Sequence, residues 1–584
     1  MTSIDDLFKS HNGTKRKFEN PTEADPSQAY KSVKLQDSND VKRSAQVEDE
    51  EDEDEAGPAL PPDFEDEEPG DDEEGRFFGG GLDENAKDAM DFLDAQDGED
   101  AIREEKYDAA WVRKLARDFE KKVNKNASLR AKYENDPTKF MESEGDLDDG
   151  IKDLSILSEH AELYEEFAKS TAAAKLVQLL AHENTDIAIG AIEIISELTD
   201  EDVAAEQDQW DALVAAFLEA DLLSLLISNF SRFDETDATD ASGVYHSLSV
   251  IENLLSQPSN TDMIGKEKAL LTWLLERIQR PEKPTTQNKQ YASEILSILT
   301  QSSRPNRTII AEANGVEILL TNLAPYRRDD PEKDSDEEEY MENLFNILTS
   351  VVEEPIGKTV FLEAEGTELC LLLVRDGKTS KNRAFKVLDH ACSYASPPPN
   401  STNEGTPPHI AVCEKLIEAR GLKPLFSTFM KTKRPDPAQT EHILALFTSL
   451  LRSLPGNSDA RMRLLAKFLE SNCQKIDKLL ALRRDYSTRL AAYDRSLAAA
   501  GEELDENIPQ RLSEGLYALQ CIDATLAWLV AEDDGARKAI VGGLADADES
   551  LESAKATLKA QLDGVLEVEA QEREVLEALV GFLN

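Results

Sequence analysis

Residues 184–200, NTDIAIGAIEIISELTD, have the pattern of an amphipathic helix. Asn184 and the two residues after it can accept backbone N–H bonds at a helix start. Apolar residues then recur at helical spacing, which places them on one buried stripe: Ile187, Ala191, Ile194, Ile195 and Leu198. A second stripe is acidic and contains Asp186, Glu193, Glu197 and Asp200. Such a stripe fits either an ordinary solvated face or a face that binds a basic partner.

The same pattern recurs along the chain. Short leucine-rich runs begin at residues 176, 222, 270, 316, 369 and 422, at spacings of 46, 48, 46, 53 and 53. Each is followed by a polar break and a second predicted helix, at residues 184–200, 242–256, 288–301, 338–353, 381–393 and 440–454. Armadillo and HEAT repeats run about 40–47 residues, so this is their period with insertions.

A single helical unit of this kind leaves an apolar face that only its neighbours can cover. The sequence therefore predicts an all-α fold, an armadillo/HEAT-type right-handed superhelical solenoid. Its concave surface is expected to be lined by the last helix of each unit. We expect a disordered acidic tail at residues 1–105, a helical N-terminal cap at 106–170 and the repeats at 171–455. No period continues at residues 456–584, which are interpreted as a helical C-terminal cap.

The tail prediction depends on composition. Residues 48–55 are an unbroken acidic run, and a second acidic cluster follows at 65–74. Such a segment buries too little apolar surface to offset its ordering entropy. Within it, Phe77 and Phe78 form an apolar hook that is expected to dock elsewhere or to stay solvated. A short basic cluster, Lys15, Arg16 and Lys17, fits a nuclear import signal or a plain tail.

The net charge of −54 limits the possible partners. The first 100 residues carry −22 of it and the rest −32, so the acidity is not confined to the tail. An acidic body repels nucleic acid and anionic membrane and attracts basic partners. The five cysteines are widely spaced, which favours reduced, buried thiols in an intracellular protein. No apolar run reaches the roughly 18 residues of a membrane span.

Motifs for catalysis are absent from the sequence, which contains no G-x-S-x-G, no H-E-x-x-H and no phosphate-binding loop. His390 and Cys392 form an H-x-C pair without companion ligands, whereas a structural zinc needs about four. We therefore expect no enzyme activity, no cofactor and no metal site. Ser335 precedes a run of acidic residues and suits an acidophilic kinase; an unmodified loop serine is the alternative.

The candidate site is a groove formed by the second helices. Their outward carboxylates would pair with Lys and Arg of an extended peptide, and their amides would bond its backbone. Each residue taken singly also fits a solvated helix face. The expected groove residues are Glu193, Glu197, Asp200, Glu252, Asn253, Glu294, Glu342, Asn343, Asn346 and Asp389.

Several stretches carry a family resemblance: NDPTKFMESE at residues 135–144, the helix at 184–200, MENLF at 341–345 and KVLDHA at 386–391. On these residues the chain resembles the beta-catenin-like protein 1 family, nuclear armadillo-fold proteins associated with the spliceosome. The resemblance implies a non-enzymatic scaffold of the Prp-nineteen-type splicing complex. It also implies binding to basic localisation segments of splicing partners, notably the cell-division-cycle-five-like protein. It favours a nuclear location, with Lys15, Arg16 and Lys17 as the import signal.

The resemblance is weakest in the Pro/Ser-rich insertion at 397–408 and in the C-terminal helices, so a homodimer stays open. Two rival functions are also open. A nuclear import adaptor would present a regular ladder of Trp and Asn, but the four tryptophans, at 111, 210, 273 and 528, do not recur at the repeat period. An adhesion protein or enzyme scaffold would be found outside the nucleus.

Overall fold

In this computed structural model the described residues are 106–395, 406–431, 436–564 and 570–584. The expected tail at 1–105, including the basic cluster and the Phe77–Phe78 hook, lies outside them, as does most of the 397–408 insertion. The described residues form α-helices and short 3-10 turns, with no β-strand among them. The predicted all-α class is confirmed.

The N-terminal helices are α1 (Ala109–Lys132), α2 (Met141–Lys152), α3 (Tyr164–Ala168), α4 (Thr171–Gln178) and α5 (Thr185–Thr199). Five sets of three follow, beginning with α6 (Gln207–Glu219), α7 (Leu222–Asn229), α8 (Ala238–Leu255), α9 (Pro258–Ile264), α10 (Lys268–Gln279) and α11 (Gln287–Gln301). The remaining sets are α12 (Arg304–Glu312), α13 (Gly315–Leu323), α14 (Asp336–Val351), α15 (Pro355–Glu363), α16 (Gly366–Asp376), α17 (Thr379–Cys392), α18 (Pro408–Glu418), α19 (Leu422–Phe429) and α20 (Pro437–Ser453).

The C-terminal helices are α21 (Asp459–Ala500), α22 (Ile508–Ser513), α23 (Leu516–Glu532), α24 (Asp534–Ala545), α25 (Leu551–Asp563) and α26 (Ala570–Phe582). Helix α21 is broken at Glu470, and the next three residues, Ser471, Asn472 and Cys473, have left-handed φ angles of 55° to 64°. The sequence left open one or two helices here, and the backbone shows two.

Side-chain caps explain where α5 and four of the five third helices begin; α17, which follows Lys378, has no such cap. Asn184 accepts the Asp186 N–H at 3.0 Å at the start of α5. Asp237, Thr286, Ser335 and Asp436 cap α8, α11, α14 and α20 in the same way. The six helices that the sequence predicts after the leucine-rich runs are all confirmed; they are α5, α8, α11, α14, α17 and α20. The largest difference in start is at α8, which begins at Ala238 instead of residue 242 because Asp237 caps it.

The turn between the first two helices of a set is tight. In three sets a left-handed residue, Asn314, Glu365 or Arg420, is followed directly by glycine. The glycine removes a clash: a Cβ at Gly366 would lie 2.3 Å from the ring of Phe361, which is fully buried. Close packing of the first helix on the second therefore requires glycine at this position.

The third helices form a continuous stack. We call α2, α5, α8, α11, α14, α17, α20 and α23 the rung helices, because each packs against the next along this series. Their buried faces meet in one apolar core, which includes Ile195, Ile251, Ile295, Leu344 and Leu388. Residues Ala109–Asn584 belong to one compact unit, an all-α solenoid.

The rungs extend beyond the repeats that the sequence shows. Helix α2 packs on α5 before the first repeat, and α23 packs on α20 after the last one. Both cover the apolar face of a terminal repeat, as an array requires.

Four of the five cysteines are buried, and none forms a disulfide.

The substitution Gly366→Ala should destabilise the solenoid, because its Cβ would overlap the fixed ring of Phe361. Overpacking of this kind costs about 1–3 kcal/mol. Denaturant unfolding followed by circular dichroism would measure the loss. The matched control is Gly542→Ala in α24, where a Cβ meets nothing within 4 Å, so stability should hold or rise slightly. Equal stability of the two variants would contradict the packing argument.

Candidate partner-binding face

Each rung helix has a polar stripe opposite its buried stripe. On α14, for example, Tyr340, Leu344 and Phe345 are buried, whereas Glu342 and Asn346 are half-buried on the other side. The stripes of α5 through α20 together form a surface that we call the ladder face. Ten candidate residues were expected on it, and the structure shows how they relate to one another.

In the N-terminal half, side chains of neighbouring rungs touch across the ladder face. The Ser196 hydroxyl on α5 donates to the Ser249 hydroxyl on α8 at 2.9 Å. Glu193 Oε1 lies 4.0 Å from Nε2 of His246, also on α8. Glu252 on α8 accepts a hydrogen bond from the Tyr291 hydroxyl on α11. Polar contacts therefore run from α5 through α8 to α11.

These contacts continue through the C-terminal half of the face. The Asn343 amide on α14 donates to Ser293 Oγ on α11 at 3.2 Å, and Glu342 forms an ion pair with Arg383 on α17. Further along, His442 Nδ1 on α20 lies 3.0 Å from Asp389 Oδ2 on α17. Polar side chains thus join each rung to the next.

Burial shapes the electrostatics of the face. Desolvation raises the pKa of Glu193, and the nearby Lys152 ammonium partly opposes that shift. Burial also lowers the pKa of His246 to about 4, so this imidazole is neutral at pH 7. Burial, followed by the charge of Glu252, raises the pKa of Tyr291. Its phenol therefore keeps the proton that it donates to Glu252.

Four of the expected residues lie on the face or at its edge. Glu197 is exposed and accepts a hydrogen bond from Ser158 Oγ at 2.8 Å. Asp200 follows the end of α5 and accepts the Asp202 N–H at 2.9 Å. Glu294 accepts from the Gln290 amide at 3.0 Å on the same helix. Asn346 is half-buried on α14.

Two expected residues are placed differently. Asn253 was predicted to face outward, but only 2% of it is exposed. Its amide donates to Ser196 O at 3.0 Å and to Thr199 Oγ1 at 3.1 Å, so it ties α8 to α5. Asp389 is only 8% exposed and faces His442. Asn253 and Asp389 each lie one residue away from the polar stripe of their helix. At that position helical spacing alone does not distinguish a residue that faces the groove from one that contacts the next rung.

Sequence reasoning missed the basic residues of the face, because it sought carboxylates and amides. Arg383, Lys386 and His390 lie at i, i+3 and i+7 of α17, on its polar stripe. His390 Nδ1 lies 2.9 Å from Glu353 Oε1. The residues of α5, α8, α11 and α14 give those helices net charges of −3, −2, 0 and −5, whereas α17 carries +2. Helical spacing within 381–393 would have revealed this reversal of sign.

Ser335 caps the start of α14, where its hydroxyl accepts the Glu338 N–H at 3.2 Å. Its phosphorylation stays a prediction.

Across the described ranges, no group of three or more His, Cys, Asp and Glu residues could hold a metal ion. No helix in the same part of the chain has the length and apolar character to cross a bilayer.

The substitution Asn253→Ala should destabilise the protein, because it leaves Ser196 O and Thr199 Oγ1 without their buried donor. The expected loss is about 1–3 kcal/mol, measured by denaturant unfolding. Asn346→Ala is the matched control, since this asparagine is half-buried on another rung, and its effect should stay within about 0.5 kcal/mol. A harmless Asn253→Ala would show that its amide does not hold the rungs together.

Comparison with known proteins agrees with this architecture. A family described as "Catenin-beta-like, Arm-motif containing nuclear" matches residues 87–559. The chain is 37% identical to the beta-catenin-like protein 1 homolog of Schizosaccharomyces pombe over 79% of this chain and 80% of that protein. It is 34% identical to beta-catenin-like protein 1 of Homo sapiens over 71% of this chain and 74% of that one.

Among solved structures, an engineered protein covers 79% of this chain and 98% of its own, with 15% identity and a TM-score of 0.44. A designed armadillo repeat protein in complex with the peptide (KR)4 covers 47% of this chain and 98% of its own, with 15% identity and a TM-score of 0.35. The family match spans most of the solenoid, and the two relatives match over more than two thirds of the chain. The chain belongs to the catenin-beta-like family of nuclear armadillo-motif proteins.

Proposed function

We propose that this protein is a non-enzymatic scaffold of the spliceosome that binds basic localisation segments of splicing proteins on its ladder face. One observation carries the proposal: two successive rungs, α5 and α8, each place a half-buried glutamate, Glu193 and Glu252, on the polar stripe, where it contacts the next rung. An isolated solvated stripe on one helix would not produce such contacts between rungs.

The geometry suits an extended chain. Packed helices lie about 8–10 Å apart, and an extended peptide advances about 3.3 Å per residue. A peptide that crosses the rungs therefore meets a new rung at about every third residue. Lys and Arg at that spacing would pair with the carboxylates, and charge-assisted hydrogen bonds of this kind are roughly twice as strong as neutral ones.

The spliceosomal part of the proposal rests on family membership. The resemblance noted from the sequence suggests the Prp-nineteen-type complex, with the cell-division-cycle-five-like protein as one basic partner. The body of the chain, at −32 outside the first 100 residues, would attract such a segment at long range and repel nucleic acid. Homodimerisation stays a separate possibility that this surface does not require.

An import adaptor is the second candidate, and the tryptophans argue against it. Trp210 is buried on α6 and donates its indole N–H to Thr199 O at 3.1 Å. Trp273 on α10 stacks on Phe230 with ring centroids 4.0 Å apart. Trp528 lies on the rung helix α23, where Arg461 covers its ring. A repeating Trp ladder on the face is therefore missing from the described rungs.

The nuclear location is proposed from the family description, with Lys15, Arg16 and Lys17 as the import signal. Replacing all three by Ala should move a fluorescently tagged full chain from the nucleus to the cytoplasm, because import receptors read such clusters by charge. The matched control replaces Lys31, Lys34 and Lys42 by Ala. Unchanged nuclear fluorescence in the first variant would assign import to another segment.

The double variant Glu193→Lys/Glu197→Lys should weaken binding of a basic peptide about tenfold or more, because attraction becomes repulsion at two positions. Fluorescence anisotropy with a labelled eight-residue Lys/Arg peptide at two salt concentrations would measure it, since screening weakens such contacts. Glu219→Lys/Glu317→Lys makes the same charge change at exposed positions of α6 and α13, outside the rungs. Equal affinities of the two double variants would locate binding elsewhere. Unfolding midpoints would show that each variant is folded.

A further inference from the structure

Aromatic side chains meet on the ladder face where α8 packs on α11. Tyr245 on α8 is half-buried, and the centroid of its ring lies 5.2 Å from that of Tyr291 on α11. The imidazole of His246 stands edge-on to the Tyr245 ring, with the centroids 5.6 Å apart. Tyr245 therefore places a partly exposed aromatic surface among the polar side chains of the face.

The position of Tyr245 on its helix explains this exposure. Tyr245, Ser249 and Glu252 lie at i, i+4 and i+7 of α8, so they share one side of the helix. All three are half-buried, whereas Val244 and Leu248, the residues that precede Tyr245 and Ser249, belong to the core. The aromatic ring and the Glu252 carboxylate are thus parts of the same polar stripe.

Each of the two rings that contact Tyr245 is itself in contact with a carboxylate. The Tyr291 hydroxyl donates to Glu252, so Tyr291 spans the two turns of α8 between Tyr245 and Glu252. On the side of α5, His246 Nε2 lies 4.0 Å from Glu193 Oε1. A ring in such surroundings attracts a cation both through the negative potential of its own face and through the nearby carboxylate charges.

Glu193 is better placed than Glu252 to receive an arriving cation. Glu252 already accepts a hydrogen bond, whereas the 4.0 Å between Glu193 and His246 exceeds hydrogen-bond distance. Burial lowers the pKa of His246 to about 4, so the imidazole is neutral at pH 7 and does not compensate the carboxylate. The Lys152 ammonium, whose charge also acts on Glu193, is paired with Asp148 on its own helix at 2.6 Å.

We propose that Tyr245 and Glu193 form an anchor for one arginine of the bound segment, whose guanidinium stacks on the Tyr245 ring and pairs with Glu193. This inference rests on the proposed function, since the segment must lie on the ladder face at α5 and α8. It adds the chemistry of one partner residue. A guanidinium is planar, stacks on aromatic faces and forks onto a carboxylate, whereas the lysine ammonium is a compact and strongly hydrated charge. The anchor should therefore prefer arginine to lysine.

The test compares two labelled eight-residue peptides, one of arginine and one of lysine, by fluorescence anisotropy with the full-length protein. Both peptides carry the same charge, so the overall field of the protein acts equally on them, and the ratio of their affinities reports the chemistry of the site. Tyr245→Leu removes the ring, and Tyr245→Phe keeps the ring without its hydroxyl. The matched control, Tyr493→Leu, removes a half-buried tyrosine of α21, outside the rungs.

We expect the arginine-to-lysine ratio of affinities to be about fivefold larger in the wild type than in Tyr245→Leu, a factor typical of a stacked guanidinium. Tyr245→Phe and Tyr493→Leu should keep the ratio of the wild type. Glu193→Gln should lower the ratio as well, because it removes the carboxylate onto which the guanidinium forks. Unfolding midpoints would show that each variant is folded.

The outcomes separate the two proposals. If both peptides bind and Glu193→Lys/Glu197→Lys weakens both, but Tyr245→Leu leaves the ratio unchanged, the anchor is wrong and the proposed function stands. If Tyr245→Phe lowers the ratio as much as Tyr245→Leu, the ring is not the platform and the inference is also overturned. If neither peptide binds, the proposed function fails and the anchor fails with it.

Discussion

The structure depends on one packing constraint: no rung helix can bury its apolar stripe except against its neighbours. Ile195, Ile251, Ile295, Leu344 and Leu388 come from five successive rungs and meet in one core. Because that core fixes how each rung is rotated about its axis, it also fixes where the opposite stripe points. The polar residues line up as a consequence of how the apolar ones are buried, and the ladder face needs no element of its own.

The same reasoning explains how much the sequence could predict. The 3.6-residue periodicity and the repeat spacing are local, strong signals, so the third helices were found with starts within a few residues. The identity of the face residues depends on finer rotation. Asn253 follows Glu252 directly, yet Asn253 is buried between rungs whereas Glu252 is on the ladder face. A rotation of 100° around the helix separates a residue that contacts the next rung from a residue on the ladder face. The pattern of apolar residues does not resolve a rotation of that size.

Sequence reasoning also treated charge as a property of the whole chain. A net charge of −54 predicts the sign of long-range attraction, but says nothing about the order of charges along one surface. The pairing of Glu342 with Arg383 became visible only when α14 and α17 were placed side by side. The two residues are 41 positions apart in the sequence, so no short motif joins them.

The polar contacts between rungs have a further consequence for binding. Glu252, Glu342 and Asp389 already have partners in the free protein, so a peptide that bound as proposed would exchange contacts instead of adding them. Exchange lowers the net gain from each ion pair, because the displaced group must find solvent or another partner. A face built in this way favours modest affinity with strong dependence on sequence, since only a segment that satisfies several rungs at once offsets the contacts it breaks. That behaviour would suit the scaffold role proposed for the chain.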